Sequence, residues 1–201
     1  MLFNLYGNQK KNYTCINNYR NMYKYFLIFF SMALFSQKYE TQKYDVLESF
    51  DNVEIRYYPS VMKAKVTSDK NFGKLFRYIS GNNENEEKIA MTTPVYMTRQ
   101  NGEETMEFVL PSKYSQENAA TPNDNGITIY SSEPGYYAAI RFGGYSNDYK
   151  VKTHHKLLLE KLKNNNIEIK TQLPISLSYN SPYKVFNRRN EVLVEVNYQM
   201  R

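Results

Sequence analysis

The chain predicts an α+β fold: a pseudo-two-fold twisted β-barrel of two strand-strand-helix-strand repeats, with one helix packed on each side. Three observations carry this. Val53-Glu54-Ile55, Pro59 and Ala64-Lys65-Val66 lead into a helical stretch, and Ile127-Thr128-Ile129, Pro134 and Ala138-Ala139-Ile140 lead into another. The repeat recurs once at about 75 residues, too long and too few for a solenoid. Neither half can close a core alone, so the two must share one barrel-like sheet.

Each element follows from local chemistry. Tyr44 to Thr67 reads as two or three strands, because Val46, Val53, Ile55, Val61 and Val66 are β-branched, Asp51-Asn52 makes a turn and Pro59 interrupts. Phe72, Leu75, Phe76 and Ile79 fall at i, i+3, i+4 and i+7, one apolar helical stripe that ends at Gly81-Asn82-Asn83. An acidic loop, Glu84 to Glu87, precedes a strand beginning at Pro94-Val95-Tyr96-Met97, and Asn101-Gly102 turns it into a strand at Met106 to Leu110. Residues 112–126, rich in Ser, Asn, Pro and Gly, form the longest loop. Strands follow at Ile127 to Tyr130 and Tyr136 to Phe142, then a helix from Asp148 to Lys163, then strands at Ile167 to Thr171 and Glu191 to Val196.

Residues 1–36 read as a leader with its core at about 22–36, leaving 37–201 as one domain. Lys24 precedes the apolar stretch Tyr25 to Phe35, 11 residues long, and Ser36-Gln37 offers a cleavage point. Spanning a bilayer takes roughly 20 apolar residues, so no membrane span is expected in the mature protein. Four of the 26 basic residues and none of the 20 acids fall in the leader, so the remainder, with 22 bases, is near neutral. That balance gives no electrostatic case for a nucleic-acid partner. The single cysteine, Cys15, also lies in the leader, which leaves the domain without a disulfide, thiol nucleophile or Cys-based metal site. The expected location is exported, periplasmic or secreted, and the expected state a monomer; without a working leader the protein would be cytoplasmic.

Catalytic signatures are absent. There is no Gly-rich phosphate loop, His-Glu-x-x-His, Gly-x-Ser-x-Gly or Cys-x-x-Cys-His motif. The two histidines, His154 and His155, are adjacent on a helix and point about 100° apart, so they cannot chelate one metal together. His155 shares a face with Val151, Leu158 and Leu162 and is expected to pack half-buried, with His154 nearer the surface. Met91 reads as a gap-filler in a loop near the first helix, and Phe142-Gly143-Gly144-Tyr145 as a strand ending in a close backbone approach. Arg188-Arg189 is expected to neutralise acids such as Glu48 or Glu54 on a neighbouring strand, or to bind an anion.

Eight segments, in order and spacing, resemble the SOUL/heme-binding-protein family. They are Tyr44-Asp45-Val46-Leu47-Glu48, Val53 to Pro59, Phe76 to Asn83, Ile89 to Val95, Phe108 to Tyr114, Phe142-Gly143-Gly144-Tyr145, Tyr179-Asn180-Ser181-Pro182 and Arg188 to Val192. The likeness runs from about Tyr44 to Val196 and implies a twisted barrel of two repeats, with reversible, non-covalent heme or tetrapyrrole binding and no catalysis. It places Phe72 and Phe76 where a vertebrate member has methionines against the ring, Arg77 near a propionate, and Lys184 beside Tyr183 in a late loop. An arginine of that member falls at about Asp69 here, which removes one cation, and no axial iron ligand is implied. A flat apolar ring with two carboxylates suits an aromatic slot with cations at its mouth; Lys74 is a further cation beside the stripe. The expected function is therefore an exported tetrapyrrole-binding protein, the ring held in a groove beside the first helix by Phe72, Phe76, Arg77, Tyr183 and Lys184. The alternative is a binding or scaffolding module that uses the same groove for another amphipathic small molecule or a peptide.

Overall fold

The computed structural model describes residues 39–199, and the expected leader lies outside the described residues. In chain order the elements are β1 (Glu40–Thr41), β2 (Asp45–Phe50), β3 (Val53–Tyr58), β4 (Met62–Thr67), α1 (Asn71–Ile79), β5 (Thr92–Thr93), β6 (Val95–Gln100) and β7 (Glu103–Val109). The second half continues with β8 (Ile127–Ser131), β9 (Gly135–Phe142), α2 (Asp148–Asn164), β10 (Glu168–Ile169), β11 (Ile175–Ser178) and β12 (Asn190–Asn197). The class is α+β, as expected.

Ten strands form one antiparallel sheet along the path β2-β3-β9-β12-β11-β6-β7-β4-β8, with β10 on β12. A short parallel pair, β1 on β5, stands apart. The path from β3 to β8 is a palindrome under exchange of β3 with β8, β4 with β9, β6 with β11 and β7 with β12. Register obeys the same exchange: Val53 faces Ile140 and Ile55 faces Ala138 in one half, while Ile127 faces Val66 and Ile129 faces Ala64 in the other. The axis passes through the opposed residues Met97 and Ser176. One expectation needs correction: each repeat has four strands, strand-strand-helix-strand-strand, because β6 and β11 both exist as central strands. The described pairings form one large antiparallel sheet whose path runs from β2 to β8.

Residues opposed across antiparallel strands share a face, and the sheet thereby acquires two distinct ones. On one face both helices pack. Leu75, Tyr78 and Ile79 of α1 cover Ala64, Val66, Met106 and Phe108, and Leu158 and Leu162 of α2 cover Val53, Ala138, Ile140 and Val192. Asn71 anchors the start of α1 by donating from Nδ2 to the Glu104 carbonyl at 2.7 Å. The α2 start is capped by Asn147, whose Oδ1 accepts from the Lys150 N–H at 2.9 Å. Gly81, at φ 113°, ends α1 in a conformation that a Cβ disfavours. Asn101-Gly102, at φ 53° and 85°, makes the expected tight hairpin between β6 and β7.

The opposite face is filled by Tyr58, Tyr96, Leu177, Tyr179 and Leu193 around a buried ionic cluster. Glu191, 0 % exposed, accepts from Arg56 Nη1 at 2.6 Å and Nη2 at 3.1 Å. It also accepts from Tyr179 Oη at 2.9 Å and from Arg189 Nε at 2.9 Å. Arg56 reaches Glu54 as well, and Arg189 Nη2 donates to Tyr44 Oη. The arginine pair thus neutralises Glu191 chiefly, through Arg189 alone, and not Glu48. Burial is the largest single influence on the Glu191 carboxyl and would raise its pKa. The hydrogen bonds and charges of Arg56, then Arg189, outweigh it and hold the group below its ordinary 4.5.

Both histidines are half-buried, as expected for His155, and the His154 ring stacks on Phe142 at 4.6 Å while Nδ1 donates to the Lys150 carbonyl.

A folded pKa below the unfolded one means that Glu191 stabilises the protein fully above about pH 4.5, and that this is lost as pH falls through its lower folded value. Glu191→Gln, leaving the buried Arg56 and half-buried Arg189 guanidiniums without their anion, is expected to cost about 3–5 kcal/mol in urea unfolding at pH 7. The variant should also lose part of the acid sensitivity below pH 4.5.

Candidate functional site

The helix stripe expected from the sequence is split in the structure. Leu75 and Ile79 enter the core with Asn71 and Tyr78, whereas Phe72 and Phe76 remain 44 % and 50 % exposed. The i, i+4 pair stacks nearly parallel, centroids 5.8 Å apart at 12°, and Phe72 meets Phe108 of β7 edge-on at 5.6 Å. A helix that needed only a core would carry polar groups at these two positions. Arg77 follows on the same helix and is exposed. Lys74 is 3.8 Å from Asp124, so that cation is committed to the far loop. Asp69 is exposed in the turn before α1.

The second group lies between β11 and β12. Tyr183 and Phe186 are 91 % and 83 % exposed, with Val185 more than half exposed between them; Lys184 is exposed too. Exposed apolar side chains on a loop usually signal a floppy excursion, but this one is held. Arg188, itself buried, donates from Nη1 to the carbonyls of Ser181 at 2.9 Å and Lys184 at 2.6 Å, with a longer contact to Pro182. Its guanidinium lies 4.4 Å over the ring of Tyr145, and Arg189 N–H donates to Asn180 Oδ1 at 2.6 Å. Asn190 Nδ2 in turn donates to the Gly144 carbonyl at 2.7 Å, tying the loop to the end of β9. Tyr145, half-exposed, therefore joins the same aromatic surface. Its role was invisible in the sequence, where the glycine pair before it drew attention to backbone and not to the ring.

Register brings the two groups to one end of the sheet. Phe108, beneath Phe72, pairs with Val95, and Val95 pairs with Ser178, where the chain leaves for the loop. Two strand spacings, about 10 Å, separate Phe108 from Ser178. Among the described residues no ring contact or ion pair joins Phe72, Phe76 and Arg77 to Tyr183 and Lys184. The five form two open patches and not a closed slot. A cleft of about 410 Å³ lies elsewhere, lined by residues such as Thr41, Val61, Leu110 and Tyr114 and by none of the five. Neither histidine lies in either patch, and no group of three or more His, Cys, Asp or Glu among the described residues could hold a metal ion. Met91, half-buried, packs against the α1 core as a filler.

The model of the SOUL heme-binding protein family matches residues 39–195. Heme-binding protein 1 of Xenopus tropicalis is 30 % identical over 126 residues, 59 % of this chain and 65 % of that protein. Heme-binding protein 2 of Homo sapiens is 30 % identical over 134 residues, 63 % of this chain and 65 % of that protein. The chain thus spans about 65 % of the length of either relative. Among solved structures, the C-terminal domain of EcmrR superposes with a TM-score of 0.53 at 10 % identity, covering 77 % of this chain and 98 % of that one. A hydrolase from Listeria innocua does so at 0.51 and 9 %, covering 75 % and 94 %. At such identities the likeness is one of fold alone.

Arg188→Ala removes three carbonyl contacts and the stacking on Tyr145. The loop should then open, and limited trypsin should cut after Lys184 at least about tenfold faster than in the parent, with the melting temperature falling only a few degrees. An unchanged cutting rate would show that the loop holds its shape without Arg188.

Proposed function

The chain belongs to the SOUL heme-binding protein family, and from that premise we propose that it is a monomeric, exported protein that binds heme or a related tetrapyrrole non-covalently. The proposed site is the groove between α1 and the 181–187 loop. Phe72, Phe76 and Tyr183 would lie against the ring, and Arg77 and Lys184 would pair with its carboxylates. The observation that carries this reading is the pair of exposed, mutually stacked phenylalanines on α1, a flat apolar surface with a cation on the next residue. Arg77 offers a fixed fork to a carboxylate, Lys184 a mobile point charge.

Magnitudes favour apolar contact over ion pairing. A dissociation constant of 10 µM corresponds to about 7 kcal/mol. At about 25 cal/mol per Å² that requires roughly 280 Å² of apolar burial before ordering costs. Two or three aromatic side chains, each able to bury about 150–250 Å², supply it. Exposed ion pairs add only about 0–1 kcal/mol each. The chemistry available to these residues is to bind and orient the ring and to screen one of its faces from water. No residue is assigned as an iron ligand.

A second reading follows from Asp69. An exposed carboxylate just before α1 repels a dianionic ligand, which favours an amphipathic molecule without two acidic groups. Mass spectrometry of natively purified protein separates the two readings by the mass of what is retained.

Titration of the purified full chain with hemin should give a saturable Soret shift with a dissociation constant at or below about 10 µM. Phe76→Asp and Lys184→Glu, both at exposed positions, should weaken it, the first by at least about tenfold, with unchanged melting temperature. No saturable shift would overturn the tetrapyrrole reading. For export, N-terminal sequencing of the mature protein should begin at Gln37; a chain that retains residues 22–36 would contradict it.

A further inference from the structure

A cleft of about 310 Å³ lies over the sheet's two-fold axis, between the first turns of α2 and strands β6 and β11. We propose that this cleft is a second ligand site, which takes a compact, neutral, ring-sized molecule carrying one hydrogen-bonding group.

Its floor is the axial pair Met97 and Ser176, directly opposed across β6 and β11. Val151 and Pro174 form apolar walls. Ser176 is only 7 % exposed, and its Oγ has no hydrogen-bond partner. A buried hydroxyl without a partner is destabilising, and folded proteins rarely leave one so. Ser176 lines the cleft, and rotation about χ1 is enough to turn its hydroxyl toward an occupant. A ligand donor or acceptor there would satisfy a group that the protein's own atoms leave unmet.

The rim determines the ligand's charge. Arg99 forks between Glu104, at 2.6 Å, and Asp148 in the first turn of α2. Its positive charge is consumed by these two acids, and with Lys152, which also lines the cleft, the four charges there sum to zero. A neutral molecule pays no electrostatic penalty to enter. Size decides the rest: about 300 Å³ is the bottom of the range for small-molecule sites, which suits one or two fused rings and not a macrocycle. The inference therefore does not rest on the tetrapyrrole reading.

The test uses the full chain labelled with ¹³C at methionine methyls, with Met97 assigned by Met97→Leu. Indole, which has a ring N–H, and indene, the same shape without it, are titrated separately. The expected result is a saturable shift of the Met97 methyl by indole below about 1 mM, with indene at least about fivefold weaker. Ser176→Ala should erase that difference while leaving the circular dichroism spectrum unchanged. Phe76→Asp, which disrupts the α1 groove, should leave the indole shift intact. An unmoved Met97 resonance at about 5 mM indole, equal affinities for the two probes, or a difference that survives Ser176→Ala would each overturn the proposal.

Discussion

A single buried carboxylate organises the end of the sheet on which the candidate site depends. Glu191 receives the fork of Arg56 from β3, Nε of Arg189 and the hydroxyl of Tyr179, and no part of it reaches water. Taking such charges out of water costs several kcal/mol per ion, and the ion pairs regain it only with complete hydrogen bonding. The cluster is therefore better understood as a fixing device than as a net source of stability. It sets the register at which β12 begins. Side chains alternate along an extended chain, so once Arg189 and Glu191 point into the cluster, Arg188 and Asn190 must point the other way. There Arg188 gathers the carbonyls of the 181–187 loop and Asn190 holds the Gly144 carbonyl.

The two faces of the sheet consequently have different capacities. The cluster face is occupied by the protein's own tyrosines: Tyr58 and Tyr137 meet edge-on at 5.5 Å, Lys63 lies 3.5 Å over Tyr96, and Tyr96 donates to Gln42 at 2.6 Å. Burial pushes the Tyr58 hydroxyl up to about 12, the mark of an interior and not of a ligand surface. On the helix face, by contrast, Phe72 and Phe76 stay in water beside a cation. The exposed, mutually stacked rings lie on the second of these.

The repeat was legible because both halves use the same apolar alternation around a proline, and the register of β3 with β9 and β8 with β4 preserves it residue for residue. The strand β6 was legible too, from Pro94-Val95-Tyr96-Met97, but its counterpart β11 was not. β11 is four residues long, with two serines in alternation and Pro174 before it, which reads locally as a loop; tertiary pairing to β6 and β12 makes it a strand. The α1 stripe was half right for a related reason. Counting only apolar residues hid Asn71 and Tyr78, which are buried because Nδ2 of the first and Oη of the second find backbone carbonyls. With those two facing inward, Phe72 and Phe76 must rotate to the flank. Arg188 was unreadable in principle, since its partners are main-chain carbonyls and leave no trace in residue type. Glu191 was legible only as the start of the last strand, because a buried acid in a strand has no sequence signature apart from its partners.

The central claim is that a tetrapyrrole rests between α1 and the loop that Arg188 holds. Crystals of the full chain loaded with hemin, measured at the iron absorption edge, test it most directly. One anomalous peak between Phe76 and Tyr183 is predicted. A peak beside α2, a peak on the tyrosine-filled face, or no ordered peak at saturating hemin would contradict it.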